Sequence, residues 1–378
     1  MSDSLLRVGL IGCGNVGLND HAPAYLGQPD RFRVVAIADP MPARLELGRE
    51  LLGLDPVDAH LDPGRLIDRD DVDMVDVCVP PHLRADIVVA AARVGKHVLS
   101  EKPLATVPAD AEAMVVAAAE AGVTLGIVHN YLYFPEIRAA RGVIEAGELG
   151  AVEVAILNYL GVIDRPGTAA YQPEWRHDSA QAGGGVLMDM LHVVYVAEVL
   201  LGAPIERVSA WTGARQLAAA VEDIALCRFE TDRNAALVNV GWGVGPGGIA
   251  VSGPHGRLTI EYRDGGTSPF APLERAVLTT GAGARELDVG PRLNGVAEII
   301  ADFGEAIVTG RQPVARGADG LHILEATLAA YESAALGRAV SIPLDRDDPV
   351  YRRGVLGLRE LDLPAWGSVK RRGLFGVG

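Results

Sequence analysis

The chain has 378 residues, of which 49% are hydrophobic and 22% charged, and its formal net charge is -15. This length predicts two or three globular domains, and the acidic charge opposes binding to nucleic-acid phosphates or anionic membranes, so we expect neither partner. The sequence shows no secretory leader and no apolar run long enough to span a bilayer, which predicts a cytoplasmic protein. Three cysteines, Cys13, Cys78 and Cys227, lie far apart in apolar runs, so we expect reduced core residues and no metal site.

The first third of the chain alternates short β-branched runs with longer alanine-rich segments. This alternation predicts βαβ units and a doubly wound parallel sheet, and therefore an α/β fold. The predicted strands are Arg7 to Ile11, Arg33 to Ala38, Met74 to Val79, His97 to Ser100 and Thr124 to Val128. Helices are predicted at Arg84 to Val94 and Ala109 to Ala121, because both periodic runs stop at a glycine suited to a left-handed cap.

After Pro135 the pattern changes to one helix, to about Ala146, followed by strand-like runs. The predicted strands are Ala151 to Leu160, Val208 to Thr212, Ile224 to Glu230, Ala235 to Val240, Gly248 to Ser252 and Arg257 to Tyr262. These runs indicate an α+β domain with a mainly antiparallel sheet, and a long helix is predicted from about Asp319 to Leu336. We place a first domain at residues 1–128, a second at 129–350 and an unplaced tail at 351–378.

A glycine-rich turn follows the first predicted strand. Gly12, Gly14 and Gly17 surround Asn15 and Val16 at the start of a helix. In such a turn the first glycine makes the bend, the second admits a pyrophosphate, and the third allows close helix–sheet packing. The helix N-terminus adds N–H groups and a positive dipole end, so the turn predicts a dinucleotide site. An ordinary structural turn is the alternative.

Asp39 ends the second predicted strand, about 20 residues beyond this turn, where a carboxylate can accept hydrogen bonds from an adenosine ribose. It would repel a 2′-phosphate, so NAD is expected, although nearby Arg44 leaves NADP possible. Pro80 and His82 follow a third strand at the same edge of the sheet. They are a further candidate cofactor contact or, equally, a proline-rich turn with an exposed histidine.

Glu101 and Lys102 stand at the end of another predicted strand, and Lys102 precedes a proline, so this bond can be cis at modest cost. A partly desolvated lysine near a cationic nicotinamide should have a lowered pKa, which suits proton exchange with a substrate hydroxyl or carbonyl. A surface salt bridge made by Glu101 is the alternative.

A glycine run leads to Asp189 and His192, in a helix predicted to run to about Leu201 and to be buried nearly all round. Three residues apart, the two side chains lie about 60° from each other on one helix face, where His192 can transfer a proton and Asp189 can orient it or bind substrate. A satisfied internal Asp–His pair is the other interpretation.

In these features, and in their order along the chain, the sequence resembles the glucose-fructose oxidoreductase and inositol dehydrogenase (Gfo/Idh/MocA) family. The resemblance covers about residues 5–345 and is most specific at Glu101-Lys102-Pro103. It implies an N-terminal Rossmann domain, a second domain whose open sheet mediates homo-oligomerisation, to a dimer or tetramer, and NAD(P)-linked oxidation or reduction of sugars and cyclitols. Lys102 would be the catalytic lysine, Asp189 a substrate-binding acid and His192 the catalytic histidine.

One departure concerns Asp189 and His192, which the family usually separates by four positions and this chain by three. A single residue is missing between them, which turns the histidine by roughly 100° from its family position. Tyr131, Arg176 and His177 are further candidate substrate contacts. Two alternatives to net redox chemistry stay open: a redox-neutral elimination or glycoside cleavage that uses bound NAD transiently, and a non-catalytic NAD-responsive regulator.

Overall fold

The structure is a computed structural model that describes residues 5–164, 174–214, 221–243, 245–266, 271–292 and 294–362. Its strands are β1 Leu6–Ile11, β2 Phe32–Ala38, β3 Ala59–His60, β4 Met74–Val77, β5 His97–Ser100, β6 Leu125–Ile127, β7 Val154–Val162, β8 Arg207–Gly213, β9 Ile224–Glu230, β10 Ala235–Trp242, β11 Gly247–Gly253, β12 Gly256–Tyr262, β13 Leu273–Thr280, β14 Gly283–Glu286 and β15 Val340–Ser341. Its α-helices are α1 Ala22–Leu26, α2 Pro42–Leu52, α3 Pro63–Ile67, α4 Arg84–Arg93, α5 Pro108–Ala121, α6 Pro135–Glu145, α7 Ser179–Ala182, α8 Val186–Asp189, α9 His192–Leu201, α10 Gly295–Thr309, α11 Gly317–Leu336 and α12 Pro349–Arg353.

The chain divides into two compact units. The first runs to Asn130 and includes Asn294–Leu321, and the second takes up the chain at Tyr131 and again at His322. The sequence placed the whole of 129–350 in one domain, so the return of Asn294–Leu321 to the first unit is a correction. The physical reason for this correction is that α10 packs closely against apolar residues of the first unit. At Gly304 a Cβ would lie 2.3 Å from the Phe32 ring, so there is no room for a side chain.

The first unit contains a six-stranded sheet in the order β3-β2-β1-β4-β5-β6, with every pairing parallel. This is the strand order of doubly wound dinucleotide-binding domains, in which the carboxyl ends of the strands meet at one edge. β4 is buried at all four positions, as a strand covered on both faces should be. The predicted parallel sheet is confirmed, and α4 and α5 are followed by left-handed Gly95 and Gly122 as expected.

The second unit contains a nine-stranded sheet in the order β14-β13-β12-β11-β7-β10-β9-β8-β15. Among the described strands of this second sheet, only the β7–β10 pairing is parallel and the rest are antiparallel, which confirms the predicted mainly antiparallel sheet. Along β10, Ala236, Val238 and Val240 are buried whereas Leu237 is exposed. One face of the sheet is therefore covered and the other is open.

Several elements were not predicted from the sequence, among them α2, α10 and the strands β3, β13, β14 and β15. The short strands lack an alternating pattern long enough to detect, and β14 is exposed throughout. No single described helix is long and apolar enough to cross a membrane. One bent pair, Ser179–Asp189 with His192–Leu201, passes that test by length and composition, as buried core helices also do.

Candidate active site

The glycine-rich turn connects β1 to a single π-helical turn, Gly17–His21, followed by α1. Gly12 has φ 102°, and a Cβ there would lie 2.8 Å from the Cys78 backbone, so only glycine fits. At Gly17 a Cβ would lie 2.1 Å from the Gly12 carbonyl oxygen. The third glycine therefore closes the turn on itself, whereas the sequence interpretation gave it a role in helix–sheet packing.

Gly14 differs from its two neighbours because a Cβ built there meets no atom within 4 Å. The backbone at this position borders open space, as the approach of a pyrophosphate requires. Asn15 and Val16 are half-buried beside it, and the Asn15 side-chain oxygen lies 3.4 Å from Arg44 Nη2. The turn thus fits the phosphates of a dinucleotide by shape and by its backbone N–H groups.

Asp39 is 9% exposed, and its carboxylate holds the turn in place. Oδ2 accepts the Cys13 N–H at 2.9 Å, and Oδ1 accepts the Met41 N–H at 2.8 Å. Each carboxylate oxygen has a second lone pair, so Asp39 can also accept a ribose hydroxyl. Arg44 donates from Nε to the Cys13 carbonyl oxygen at 2.7 Å, which fixes a cation beside the same turn.

Pro80 and His82 lie after β4, where Pro81–Leu83 forms a turn of 3-10 helix. The His82 side chain is exposed and Pro80 is half-buried. This placement fits both a cofactor contact and a solvent-facing turn, so their role stays a prediction.

Lys102 follows β5 in a turn with a cis Lys102-Pro103 bond, as the sequence allowed. Glu101 is 8% exposed, and its Oε2 accepts the Lys102 backbone N–H at 2.9 Å. Arg84, which sequence reasoning missed, is 4% exposed and donates to the carbonyl oxygens of Glu101, at 2.8 Å, and of Pro103. Buried side chains therefore hold the backbone on both sides of Lys102.

The predicted continuous helix through Asp189 and His192 is wrong. Asp189 is the last residue of α8, and His192 is the first of α9; the helical segments on the two sides of this break are bent by 45°. Met190 and Leu191 lie at the break, outside both helices, so the two side chains do not share one helical face. The predicted burial of α9 and its end at Gly202 are confirmed.

His192 is 6% exposed and lies among aromatic side chains. The Tyr131 ring stacks on the imidazole with centroids 4.0 Å apart and planes 10° apart. His192 Nδ1 lies 2.7 Å from the Tyr195 hydroxyl oxygen, which also accepts the Tyr131 N–H at 3.1 Å. The structure thus brings predicted Tyr131 and His192 together and adds Tyr195, whose spacing from His192 places it one helical turn away.

Asp189 pairs with Arg176, since Arg176 Nη1 donates to Oδ1 at 2.9 Å. Both side chains keep more than a quarter of their surface exposed, so the pair is open to a ligand. His177 is oriented elsewhere: its Nε2 lies 3.1 Å from Asp164, and its ring lies against Trp242. Arg176 and Asp189 therefore form one polar group, and His177 belongs to a neighbouring one.

A buried carboxylate that the sequence did not single out fixes the start of α8. Glu222 accepts the N–H groups of Gly185 at 2.9 Å and Leu187 at 3.0 Å, and the Tyr331 hydroxyl at 2.7 Å. Burial raises the Glu222 pKa to about 7, although these hydrogen bonds act in the opposite direction. A Cβ at Gly185 would lie 2.1 Å from the Glu222 carbonyl oxygen. The absence of a side chain at Gly185 therefore allows α8 to begin in contact with Glu222.

Comparison with family models gives two matches that together cover most of the chain. Residues 6–129 match an oxidoreductase family with an NAD-binding Rossmann fold, and residues 137–259 match the GFO/IDH/MocA C-terminal domain. The first match contains the glycine-rich turn and Lys102, and the second contains Asp189 and His192. NAD is therefore the cofactor that the first unit binds.

Two curated relatives are similar to this chain. A 1,5-anhydro-D-fructose reductase from Ensifer adhaerens is 33% identical over 73% of this chain and 82% of its own. A levoglucosan dehydrogenase from Pseudarthrobacter phenanthrenivorans is 34% identical over 52% of this chain and 51% of its own. The chain thus spans only about half the length of some relatives that it matches.

Among solved structures, an aldose-aldose oxidoreductase from Caulobacter crescentus, crystallised with glycerol, is 28% identical with a TM-score of 0.79. The superposition covers 90% of this chain and 100% of that one. The two family models, a relative aligned over 82% of its own length and this shared fold all support the same family assignment. The chain belongs to the Gfo/Idh/MocA oxidoreductase family.

Proposed function

We propose that this protein is an NAD-dependent dehydrogenase or reductase that acts on a carbinol or ketone carbon of a sugar or cyclitol. The observation that carries the proposal is the Lys102 turn. Lys102 stands at the carboxyl edge of the sheet that carries the glycine-rich turn, with β4 as the only strand between β1 and β5. Ligands of doubly wound sheets bind at this edge.

The nicotinamide, when bound, supplies or accepts the hydride. The chain's own task is to orient the reacting carbon and to move a proton to or from its oxygen. We assign that proton to the Lys102 amine, because Glu101 and Arg84 fix the backbone that carries it. Hydrogen bonds to the substrate hydroxyls are assigned to Asp189 and Arg176, whose paired charges suit a neutral polyol with donor and acceptor groups.

His192 and Tyr131 complete the proposed substrate contacts. Tyr131 covers one face of the His192 imidazole and fixes the ring, which provides a polar edge for a substrate hydroxyl. The substrate class also rests on the relatives, which are named for levoglucosan, 1,5-anhydro-D-fructose and aldoses. Asp39 supports NAD over NADP, because its carboxylate would repel a 2′-phosphate, and Arg44 leaves a measurable NADP activity possible.

The test compares two lysine substitutions. We expect Lys102→Ala to abolish turnover while calorimetry still detects NAD binding. Lys96 is the matched control, since its ammonium group donates to the carbonyl oxygens of Arg69 and Val72 and lies in no proposed contact. Lys96→Ala should keep activity; a Lys102→Ala variant as active as the parent would refute the assignment.

The substrate is sought with a panel of polyols, inositols, aminocyclitols, anhydro-sugars and hexoses, each with NAD and NADP. Net formation of reduced cofactor, followed by absorbance, supports the proposed oxidoreductase. Product formed without net absorbance change would instead indicate the redox-neutral alternative. Cofactor binding without any product would indicate the regulator.

We also propose that the protein is a homo-oligomer formed through the open face of the nine-stranded sheet. Trp211, Leu226 and Leu237 are each 40% exposed on three consecutive strands. Trp211 is paired with Leu226 across β8 and β9, and Leu237 with half-buried Ile156 across β10 and β7. A second copy of the same face would cover this apolar surface.

A further inference from the structure

A buried hydrogen-bonded network lies within the first unit, beneath the Lys102 turn. His21 and Asp76 are completely buried, and Glu101 is 8% exposed. His21 Nδ1 lies 2.7 Å from Asp76 Oδ2, and its Nε2 lies 3.1 Å from Glu101 Oε1. One imidazole therefore connects the helical turn after the glycine loop with the ends of two strands.

Asp76 has other partners that keep it fixed. The Tyr25 hydroxyl donates to Oδ2 at 2.8 Å, and Cys78 Sγ donates to Oδ1 at 3.6 Å. Buried carboxylates need such partners, because an unpaired charge away from water is very costly. The network is thus a complete set of donors and acceptors, with Asp76 at one end and Glu101 at the other.

The geometry determines the charge on His21. An ionised carboxylate can only accept hydrogen bonds, so an imidazole between two carboxylates must carry a proton on each nitrogen. Burial lowers the pKa of His21, but the charge of Asp76 and its hydrogen bond to the imidazole outweigh burial and raise that pKa well above the ordinary value. Burial raises the pKa of Glu101, yet its hydrogen bond and charge contact with His21, with Arg84 and Lys102 adding to them, lower it overall.

Three other titratable groups, Tyr25, Cys78 and Asp20, belong to the network or adjoin His21 in the chain. Burial and Asp76 raise the pKa of Tyr25 well above its usual value and that of Cys78 to about 12, so both stay neutral. Burial likewise raises the pKa of Asp20, which precedes His21 in the chain. Among the five described side chains of this network, His21 is therefore the only cation.

The other oxygen of Glu101 reaches the proposed catalytic residue. Oε1 accepts from His21, and Oε2 accepts the backbone N–H of Lys102. Without the His21 imidazole, Glu101 Oε1 loses this hydrogen bond and the carboxylate is free to rotate. Oε2 then no longer holds the Lys102 backbone N–H in one orientation. The connection passes from imidazole to carboxylate to main chain in two hydrogen bonds.

We infer that His21 is a positioning residue, which as an imidazolium held between Asp76 and Glu101 fixes the Lys102 turn in its catalytic geometry. The inference rests on the proposed function for the role of Lys102. His21, Asp76 and Cys78 also place donor atoms within 4.8 Å of one another, as metal ligands do. The direct 2.7 Å hydrogen bond between His21 and Asp76 assigns a proton, rather than an ion, to this position.

The chain offers an unusually clean measurement, because it contains three lysines, Lys96, Lys102 and Lys370. Selective ¹³C-lysine labelling gives three Cε signals, assigned by substitution, in protein without cofactor. In His21→Gln we expect the Lys102 signal to shift and the Lys96 signal to stay. In ¹⁵N-histidine spectra of the parent protein, we expect both His21 ring nitrogens to carry protons at pH 8. Turnover of His21→Gln should fall about 10- to 100-fold, with the KM for NAD within about twofold.

Tyr25→Phe is the matched control. It also removes a buried hydrogen bond to Asp76, but it leaves the contact between His21 and Glu101 intact. We expect a similar loss of thermal stability in both variants, with an unmoved Lys102 signal and turnover within twofold in Tyr25→Phe. An unmoved Lys102 signal in His21→Gln, or a singly protonated His21 ring at pH 8, overturns the inference. A parent protein inactive on every polyol overturns the proposed function instead, since the two spectra do not depend on turnover.

Discussion

At the scale of single residues, buried carboxyl groups predict a pH dependence of this protein's stability. Glu332, in α11, is 3% exposed, and its Oε2 has no hydrogen-bond partner among the described residues. Burial, with repulsion from Asp348, raises its pKa to about 7. The folded state therefore binds a proton more tightly than the unfolded chain between about pH 4.5 and 7, and stability from this group is lost as pH rises through that window.

We expect Glu332→Gln to raise the free energy of unfolding by about 2 kcal/mol at pH 8 and to leave it nearly unchanged near pH 4.5. The carboxamide keeps the shape and removes the buried charge. Thermal unfolding at both pH values measures the effect, with the exposed Glu120→Gln as control. Equal stability of Glu332→Gln and the parent at pH 8 would show that the carboxyl group is well solvated. Some pH dependence should remain, because burial also raises the Glu222 pKa.

At the scale of elements, the start of α8 depends on side chains from distant parts of the chain. The Tyr331 hydroxyl in α11 donates to Glu222 and accepts the N–H groups of Gly185 and Met188, both at 3.2 Å. A helix start leaves N–H groups without helical partners, and here a tyrosine and a glutamate satisfy them. This arrangement positions the helix that ends at Asp189.

Tyr331→Phe should therefore act on substrate binding and on stability together. We expect a loss of about 1–3 kcal/mol, because buried partners are left unsatisfied, and a higher KM for the substrate with an unchanged Kd for NAD. Calorimetry and steady-state kinetics measure the two effects. Tyr25→Phe serves again as comparison, since it removes a buried tyrosine–carboxylate bond in the other unit. An unchanged substrate KM in Tyr331→Phe would mean that α8 holds its position without this hydroxyl.

At the scale of the whole molecule, the open face of the nine-stranded sheet is the proposed interface of a homo-oligomer. Leu237 lies at its centre, opposite Arg228 on β9 and Ile156 on β7. Leu237→Arg adds a charge that two apposed faces would have to bury, so we expect the oligomer to dissociate while the fold is kept. Light scattering coupled to gel filtration gives the mass. Val308→Arg is the control, because Val308 is 51% exposed but lies on α10. A monomeric parent protein, or an unchanged mass for Leu237→Arg, would contradict the proposed interface.

Local sequence determined the parts of this protein that depend on backbone conformation and short-range periodicity. The glycine turn at Gly12, five of the six strands of the parallel sheet, the cis-compatible Lys102-Pro103 bond and the capped ends of α5 and α9 follow from residues close together in the chain. The candidate residues Lys102, Asp189 and His192 were likewise predicted from their positions beside a strand or a glycine run.

Only the tertiary structure decided which of these residues touch. Four features show this: the pairing of Arg176 with Asp189, the break between α8 and α9, the Glu222–Tyr331 contact and the His21–Asp76–Glu101 network. The contacts join residues that are not neighbours in the sequence, and across the break the sequence had predicted a continuous helix. Periodicity reports which face of an element is buried, but not which buried polar group it meets there. Those partners are selected by packing and by the cost of leaving a buried donor, acceptor or charge unsatisfied.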